Sequence, residues 1–179
     1  MRLLDQDFEL FLTQAEIESA IAAMARQLAE DYRGTCPLFV GVLNGCFRFA
    51  AELFKYYDAP CEVSFVKMAS YQGLTSTGIV ETLLDVSESV EGRDVVILED
   101  IVDSGKTLAY LYDMLYEAKV LSVTSVAFLY KPMAIKYPIQ PDYHCFSITN
   151  EFVIGYGLDY NEQGRQLSHL YQLTEKPII

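Results

Sequence analysis

Residues 94–108 read DVVILEDIVDSGKTL, and this stretch carries most of the information about the fold. Asp94 to Leu98 is an almost unbroken apolar run of the kind found in strands covered on both faces. Two adjacent carboxylates, Glu99 and Asp100, end the run. Asp103-Ser104-Gly105-Lys106-Thr107 then turns into a segment with Leu108, Leu111, Tyr112 and Leu115 at helical spacing. The turn offers successive backbone N–H groups, a helix N-terminus and the hydroxyls of Ser104 and Thr107, a combination that suits a phosphate.

Gly105-Lys106-Thr107 also matches the end of a Walker A loop. That loop needs a glycine at position 100, where this chain has Asp100 preceded by Glu99. Two carboxylates repel a nucleotide's phosphate chain, whereas they suit the vicinal hydroxyls of a sugar or a magnesium ion. An ordinary strand-to-helix turn, with Asp103 or Ser104 as helix cap, accounts for Asp103 taken alone. It does not account for the whole constellation.

The flanking sequence extends the same pattern. Thr13 to Tyr32 is expected to be a helix, with Thr13 and Glu16 as a capping box, Ile17, Ile21, Met24 and Leu28 on one face, and Gly34 as its stop. Leu38 to Leu43 reads as a buried strand, followed by Asn44-Gly45 and an apolar-faced helix through Phe49, Leu53 and Tyr57. Glu62 to Met68 and Val80 to Val86 alternate as half-exposed strands around a long loop, 69–78. Ser122 to Tyr130 is the next strand, with short ones at Tyr143 to Ile148 and Phe152 to Ile154. Strands alternating with helices predict an α/β fold with a central parallel sheet flanked by helices, whose ligands bind at the carboxyl ends of the strands.

Composition narrows the function classes. A chain of 179 residues with 51% hydrophobic and 21% charged residues makes one domain with an ordinary core. Thirteen basic against twenty-five acidic residues leave a net charge of −12, a field that disfavours nucleic acid as a partner. Met1 to Leu10 carries three acidic residues and no long apolar run, so no signal peptide is expected there. No stretch approaches the roughly 18 apolar residues of a membrane span, so no membrane partner is expected. Cys36, Cys46, Cys61 and Cys145 are scattered without a Cys-x-x-Cys pair, which suits reduced thiols in the cytoplasm. His144 and His169 alone exclude a His-rich metal site.

The Glu99–Thr107 segment resembles the phosphoribosyl-pyrophosphate signature of type I phosphoribosyltransferases, most closely their hypoxanthine-guanine branch. Four further segments fit in order. Leu43-Asn44-Gly45 resembles the short pyrophosphate-binding loop, where the family has a non-proline cis peptide. Ser70-Tyr71 resembles the start of a mobile loop over the active site. Lys131 resembles the lysine that reads the purine's 6-oxo group, and Glu151 to Tyr160, with Arg165 after it, resembles the purine-stacking and metal segment.

The resemblance covers roughly residues 10 to 173. It implies a single domain with a core of about 35–150 and a small hood from about 1–34 and 151–179. It also implies that Glu99 and Asp100 hold ribose hydroxyls and a magnesium ion, and that Asp103, Ser104, Gly105, Lys106 and Thr107 cradle the 5-phosphate. Asp103 would be the catalytic proton acceptor. Phe152 would stack on the base, Val153 would meet its edge through the backbone, and Asp159, in the same purine segment, would anchor magnesium at the pyrophosphate. Asn44, Gly45 and Arg165 would bind pyrophosphate. The implied reaction joins hypoxanthine or guanine to phosphoribosyl pyrophosphate, giving IMP or GMP, in a homodimer or homotetramer. Two departures bear on the donor: Asn44 stands where many relatives carry a basic residue, and Gly78 where some do. The alternatives are a xanthine- or adenine-preferring enzyme, and a non-catalytic nucleotide sensor of the same fold.

Overall fold

The computed structural model describes residues 1–69, 81–82 and 90–174. Its elements run, in chain order, β1 (Arg2–Leu3), β2 (Gln6–Leu12), α1 (Gln14–Asp31), β3 (Leu38–Leu43), α2 (Phe47–Phe54), β4 (Glu62–Ala69), β5 (Glu81–Thr82), β6 (Asp94–Val102), α3 (Lys106–Glu117), β7 (Ser122–Tyr130), a 3₁₀ turn (Pro132–Ala134), β8 (Tyr143–Ser147), β9 (Val153–Ile154) and β10 (Leu170–Leu173).

Five parallel strands lie in the order β4-β3-β6-β7-β8, with β5 antiparallel on the edge of β4. Apolar residues alternate through this sheet with the two-residue period of a strand. Phe39, Val96 and Leu98 pack under α1 and α2 with Ile21, Leu28 and Phe49, while Val40, Val95 and Ile97 pack under α3 with Leu108, Leu111 and Leu115. The sheet is therefore covered on both faces, which is why its strands read as near-continuous apolar runs.

In order of appearance the five parallel strands are arranged 2-1-3-4-5, a doubly wound order whose switch point falls between β3 and β6. The register shows how the crevice opens there. β3 and β6 are paired from Leu38↔Val95 to Gly41↔Leu98 and no further, whereas β6 stays paired with β7 as far as Val102↔Tyr130. Glu99 and Asp100 thus lie where β3 has turned away from β6. The sequence places the end of this strand at Leu98; pairing with β7 carries it on to Val102, so both carboxylates sit within it.

The expected cap of α1 is present: Thr13 accepts from Glu16 N and the Glu16 carboxylate accepts from Thr13 N. α2 ends at Phe54, short of Tyr57, although Tyr57 is buried against Phe39. The hood is an antiparallel sheet, β1-β2-β10-β9, built from both chain ends. The buried face of α1, Ile17, Ile21, Ala25 and Leu28, shares one core with main-sheet residues such as Phe39 and Val96 and with Val153 and Leu170 of the hood.

Candidate active site

The end of β6 and the turn into α3 form a cavity of about 80 Å³ lined by Glu99 and residues 101–108. Gly105 stands at the N-cap of α3 with φ +82°, a left-handed conformation that glycine adopts without strain. A Cβ there would press on Ile139 and approach Ile135. The Ser104 carbonyl accepts N–H groups of Lys136 and Tyr137 at 2.9 and 3.2 Å, and Ser104 Oγ accepts from Lys106 N at 3.3 Å. The loop is therefore held from behind by residues 135–139, leaving the start of α3 as its open side. Asp103 is not the cap of α3; its side chain is 57% exposed.

Lys131 ends β7 beside this loop. Its backbone N–H donates to Val102 O, and its ammonium lies 3.6 Å from Asp103 Oδ2. Only 7% of Lys131 is exposed, so it is not the solvated surface lysine that its position before Pro132 suggests. A buried ammonium next to a half-open carboxylate is an ion pair with room for a third partner.

Across the crevice, the Leu43–Asn44 peptide is cis and Gly45 follows it. A Cβ on Gly45 would overlap the Asp100 carboxylate, so only glycine lets this loop lie against Asp100. Asp100 Oδ1 accepts from Ile101 N at 3.0 Å. Burial pushes the Asp100 carboxyl up to about 6, against the pull of backbone hydrogen bonds and of the Arg165 guanidinium; Asp159 pushes the same way as burial. Glu99 is also raised well above the usual carboxylate range, first by burial and then by Asp100, and its Oε2 is buried without a protein partner.

These carboxylates destabilise the empty protein at neutral pH. A carboxyl with a higher pKa folded than unfolded contributes stability below its unfolded value of 3.8, and that stability is lost as pH rises through about 6. For Asp100 the loss is up to about 3 kcal/mol. We expect Asp100→Asn to raise the melting temperature of the ligand-free protein by several degrees at pH 7.5. The gain should shrink toward pH 5, where the native carboxyl is protonated. A lower melting temperature at pH 7.5 would contradict the burial of this charge.

Beyond β8, Arg165 Nη2 lies 2.7 Å from Asp159 Oδ1 and its Nη1 donates to Gly157 O at 2.7 Å. Asp159 Oδ2 accepts from Glu162 N at 2.7 Å. Both side chains are about a quarter exposed, so this is a half-buried pair rather than a loose surface one. Phe152 is 44% exposed, with its ring packed against Phe8 and Tyr160 at centroid distances of 6.5 and 5.8 Å, and Val153 is buried next to it. Ser70 and Tyr71 lie outside the described residues. Arg48 is a further site residue that no sequence motif contains, and Gly157 lies within the Glu151–Tyr160 segment with no role of its own assigned there. Gly157 (φ +107°) lies so close to Gly45 that a Cβ would overlap its carbonyl oxygen, which seats the Arg165 turn directly on the Asn44–Gly45 loop.

Among the described residues no three His, Cys, Asp or Glu side chains converge on a common point. The orphaned, buried Glu99 oxygen and the adjacent Asp100 do fit a hard cation or sugar hydroxyls. Magnesium is habitually held by one or two protein carboxylates, with water and substrate phosphates completing the shell.

The switch-point crevice of this doubly wound sheet joins paired acidic residues to a loop suited to a phosphate. The chain belongs to the phosphoribosyl transferase domain family, whose model matches residues 10–161. Within it the chain falls in the hypoxanthine-guanine branch. It is 40% identical over 176 residues to the hypoxanthine-guanine phosphoribosyltransferase of Streptococcus pneumoniae, covering 97% of this chain and 98% of that one. It also superposes with a TM-score of 0.88 on a hypoxanthine phosphoribosyltransferase from Staphylococcus aureus, at 37% identity over 95% of this chain and 92% of that one. A Trypanosoma cruzi hypoxanthine phosphoribosyltransferase gives 0.87 at 38% identity, over 95% and 96% of the two chains.

Proposed function

We propose that the protein is a purine-salvage enzyme that transfers the phosphoribosyl group of phosphoribosyl pyrophosphate to hypoxanthine or guanine, giving IMP or GMP and pyrophosphate. The observation that carries this reading is the buried Lys131 ammonium 3.6 Å from Asp103 at the mouth of the phosphate-type loop. An oxopurine presents O6 and N7 side by side on one edge. Lys131 donates to O6, and Asp103 accepts the N7 proton as N9 forms the new glycosidic bond. Phe152 stacks on the base, Val153 meets its edge through the backbone, and Asp159 closes the same segment.

The backbone N–H groups and hydroxyls of Ser104, Gly105, Lys106 and Thr107 take the 5-phosphate. Glu99 and Asp100 accept from the ribose hydroxyls, and their negative charge stabilises the oxocarbenium character that develops as the anomeric bond breaks. Asn44, Gly45 and Arg165 hold the departing pyrophosphate. Glu99, Asp100 and Asp159 are the carboxylates that would hold magnesium, which supplies neutralisation of the charge building on pyrophosphate. The four free thiols suit a cytoplasmic setting, and a homodimer or homotetramer is the proposed assembly.

The reading is tested by following nucleotide formation in chelator and in graded magnesium. Activity should vanish in chelator and return on adding the ion. Glu99→Gln and Asp159→Asn should each raise the magnesium concentration for half-maximal rate, by about tenfold for the loss of one charged ligand. A double variant that keeps the full rate at limiting magnesium would remove the metal roles.

A further inference from the structure

Arg48 lies in the first turn of α2, four residues after Asn44. Arg48 Nη1 donates to the carbonyls of Gln166 and Leu167 at 2.8 and 2.7 Å, and the guanidinium stacks over the ring of Tyr156 at 4.7 Å from its centroid. Tyr156 is buried, so this stacking fixes the guanidinium plane from beneath.

The carbonyls that Arg48 grips belong to the two residues following Arg165. The Arg165 turn is tied at its other end to Gly157: Gly157 N donates to Arg165 O at 3.0 Å, and Arg165 Nη1 donates back to Gly157 O. Gly157 in turn rests on the Gly45 carbonyl, near Arg48 Cβ. The loop Asn44–Gly45 and the turn bearing Arg165 come from opposite ends of the chain and meet here with a single arginine spanning them.

We infer that Arg48 is a positioning residue for the pyrophosphate half of the site: it clamps the Arg165 turn onto α2 and so sets the separation between Asn44–Gly45 and Arg165. The inference rests on the phosphoribosyltransferase reading. It places Arg48's effect on the donor and on released pyrophosphate, with little on the purine, whose proposed partners are Lys131, Asp103 and Phe152. Arginine suits the position because its planar guanidinium stacks on the Tyr156 ring while Nη1 donates to both carbonyls; a lysine ammonium could donate to the carbonyls but has no plane to stack.

The test compares wild type, Arg48→Met and Arg48→Lys as full-length enzymes, varying phosphoribosyl pyrophosphate and hypoxanthine in turn and recording melting temperatures. Methionine keeps the apolar stem, and the Leu167 carbonyl still accepts from Tyr156 N at 2.9 Å, so the hood retains a bond at that point. Arg48→Met should raise the KM for phosphoribosyl pyrophosphate about tenfold, the worth of one hydrogen bond from a charged donor. Inhibition by pyrophosphate should weaken by a similar factor, while the KM for hypoxanthine stays within about twofold. Arg48→Lys should recover part of the loss. A fall in melting temperature or kcat with both KM values unchanged, or an equal rise in both, would overturn the inference. If Arg48→Met does not fold, Arg48→Lys decides alone: a donor-specific rise supports the clamp and an unchanged donor KM overturns it. A wild type that forms no nucleotide removes the underlying reading, whereas an active wild type with a normal Arg48→Met donor KM removes only the clamp.

Discussion

Replacing Asp103 with asparagine should lower turnover by about 10²–10⁴-fold, the usual worth of a positioned general base. The side chain is 57% exposed and its Oδ2 lies 3.6 Å from the Lys131 ammonium, so its carboxylate is accessible to a purine. Asparagine keeps the size and the acceptor oxygen but cannot take up the N7 proton. Donor binding should change far less, because the loop N–H groups and hydroxyls that take the 5-phosphate remain. Single-turnover rates together with the donor KM separate the two effects. Near-normal turnover would leave Asp103 as a conformational residue of the turn and remove it from the chemistry.

The second large effect concerns Lys131. An ammonium has three donors and no acceptor, so it can serve a 6-oxo group and has nothing to offer a 6-amino group. With adenine, two donors face each other, and Lys131 is too buried for water to relieve them. A hydrogen bond from a charged donor is worth roughly 1.5–3 kcal/mol, or about 10- to 150-fold, and unpaired groups in a dry pocket widen the gap. Rejection of adenine by more than roughly a hundredfold is therefore expected for the wild type. Lys131→Gln should narrow that gap mainly by losing the oxopurines, and Lys131→Ala should cost the hypoxanthine rate. An unchanged hypoxanthine rate in Lys131→Ala would mean that this lysine does not read the base.

Much of the frame is legible in the amino-acid sequence because its signals are local. The run from Leu38 to Leu43, the Thr13–Glu16 capping box and the apolar stripe of α3 are each set by neighbouring residues, and each is present where the sequence places it. What escapes the sequence depends on long-range pairing. The end of β6 is strand because β7 runs beside it, and nothing in Glu99-Asp100-Ile101-Val102 announces that partner. The hood strands are short, and β2 finds its register with β10 from the far end of the chain; along β2 only Phe8 is buried, so its alternation is faint.

The candidate site divides in the same way. Glu99 to Thr107 is contiguous and readable, and its likeness to a known signature identifies the other segments. The ion pair of Lys131 with Asp103 and the contact of Gly45 with Asp100 are products of the strand order, which brings the ends of β3, β6 and β7 to one crevice. Gly157 and Arg48 carry no local signal: one is a glycine in a turn already rich in glycine, the other an ordinary arginine on a helix. Only the approach of the hood to the Asn44–Gly45 loop gives them a role.

The most direct measurement is nucleotide formation by the purified protein from each of hypoxanthine, guanine, xanthine and adenine, with phosphoribosyl pyrophosphate and magnesium. IMP and GMP should form at rates that exceed any AMP formation by more than roughly a hundredfold. A preference for adenine, or no pyrophosphate release with any of the four purines, would contradict the account.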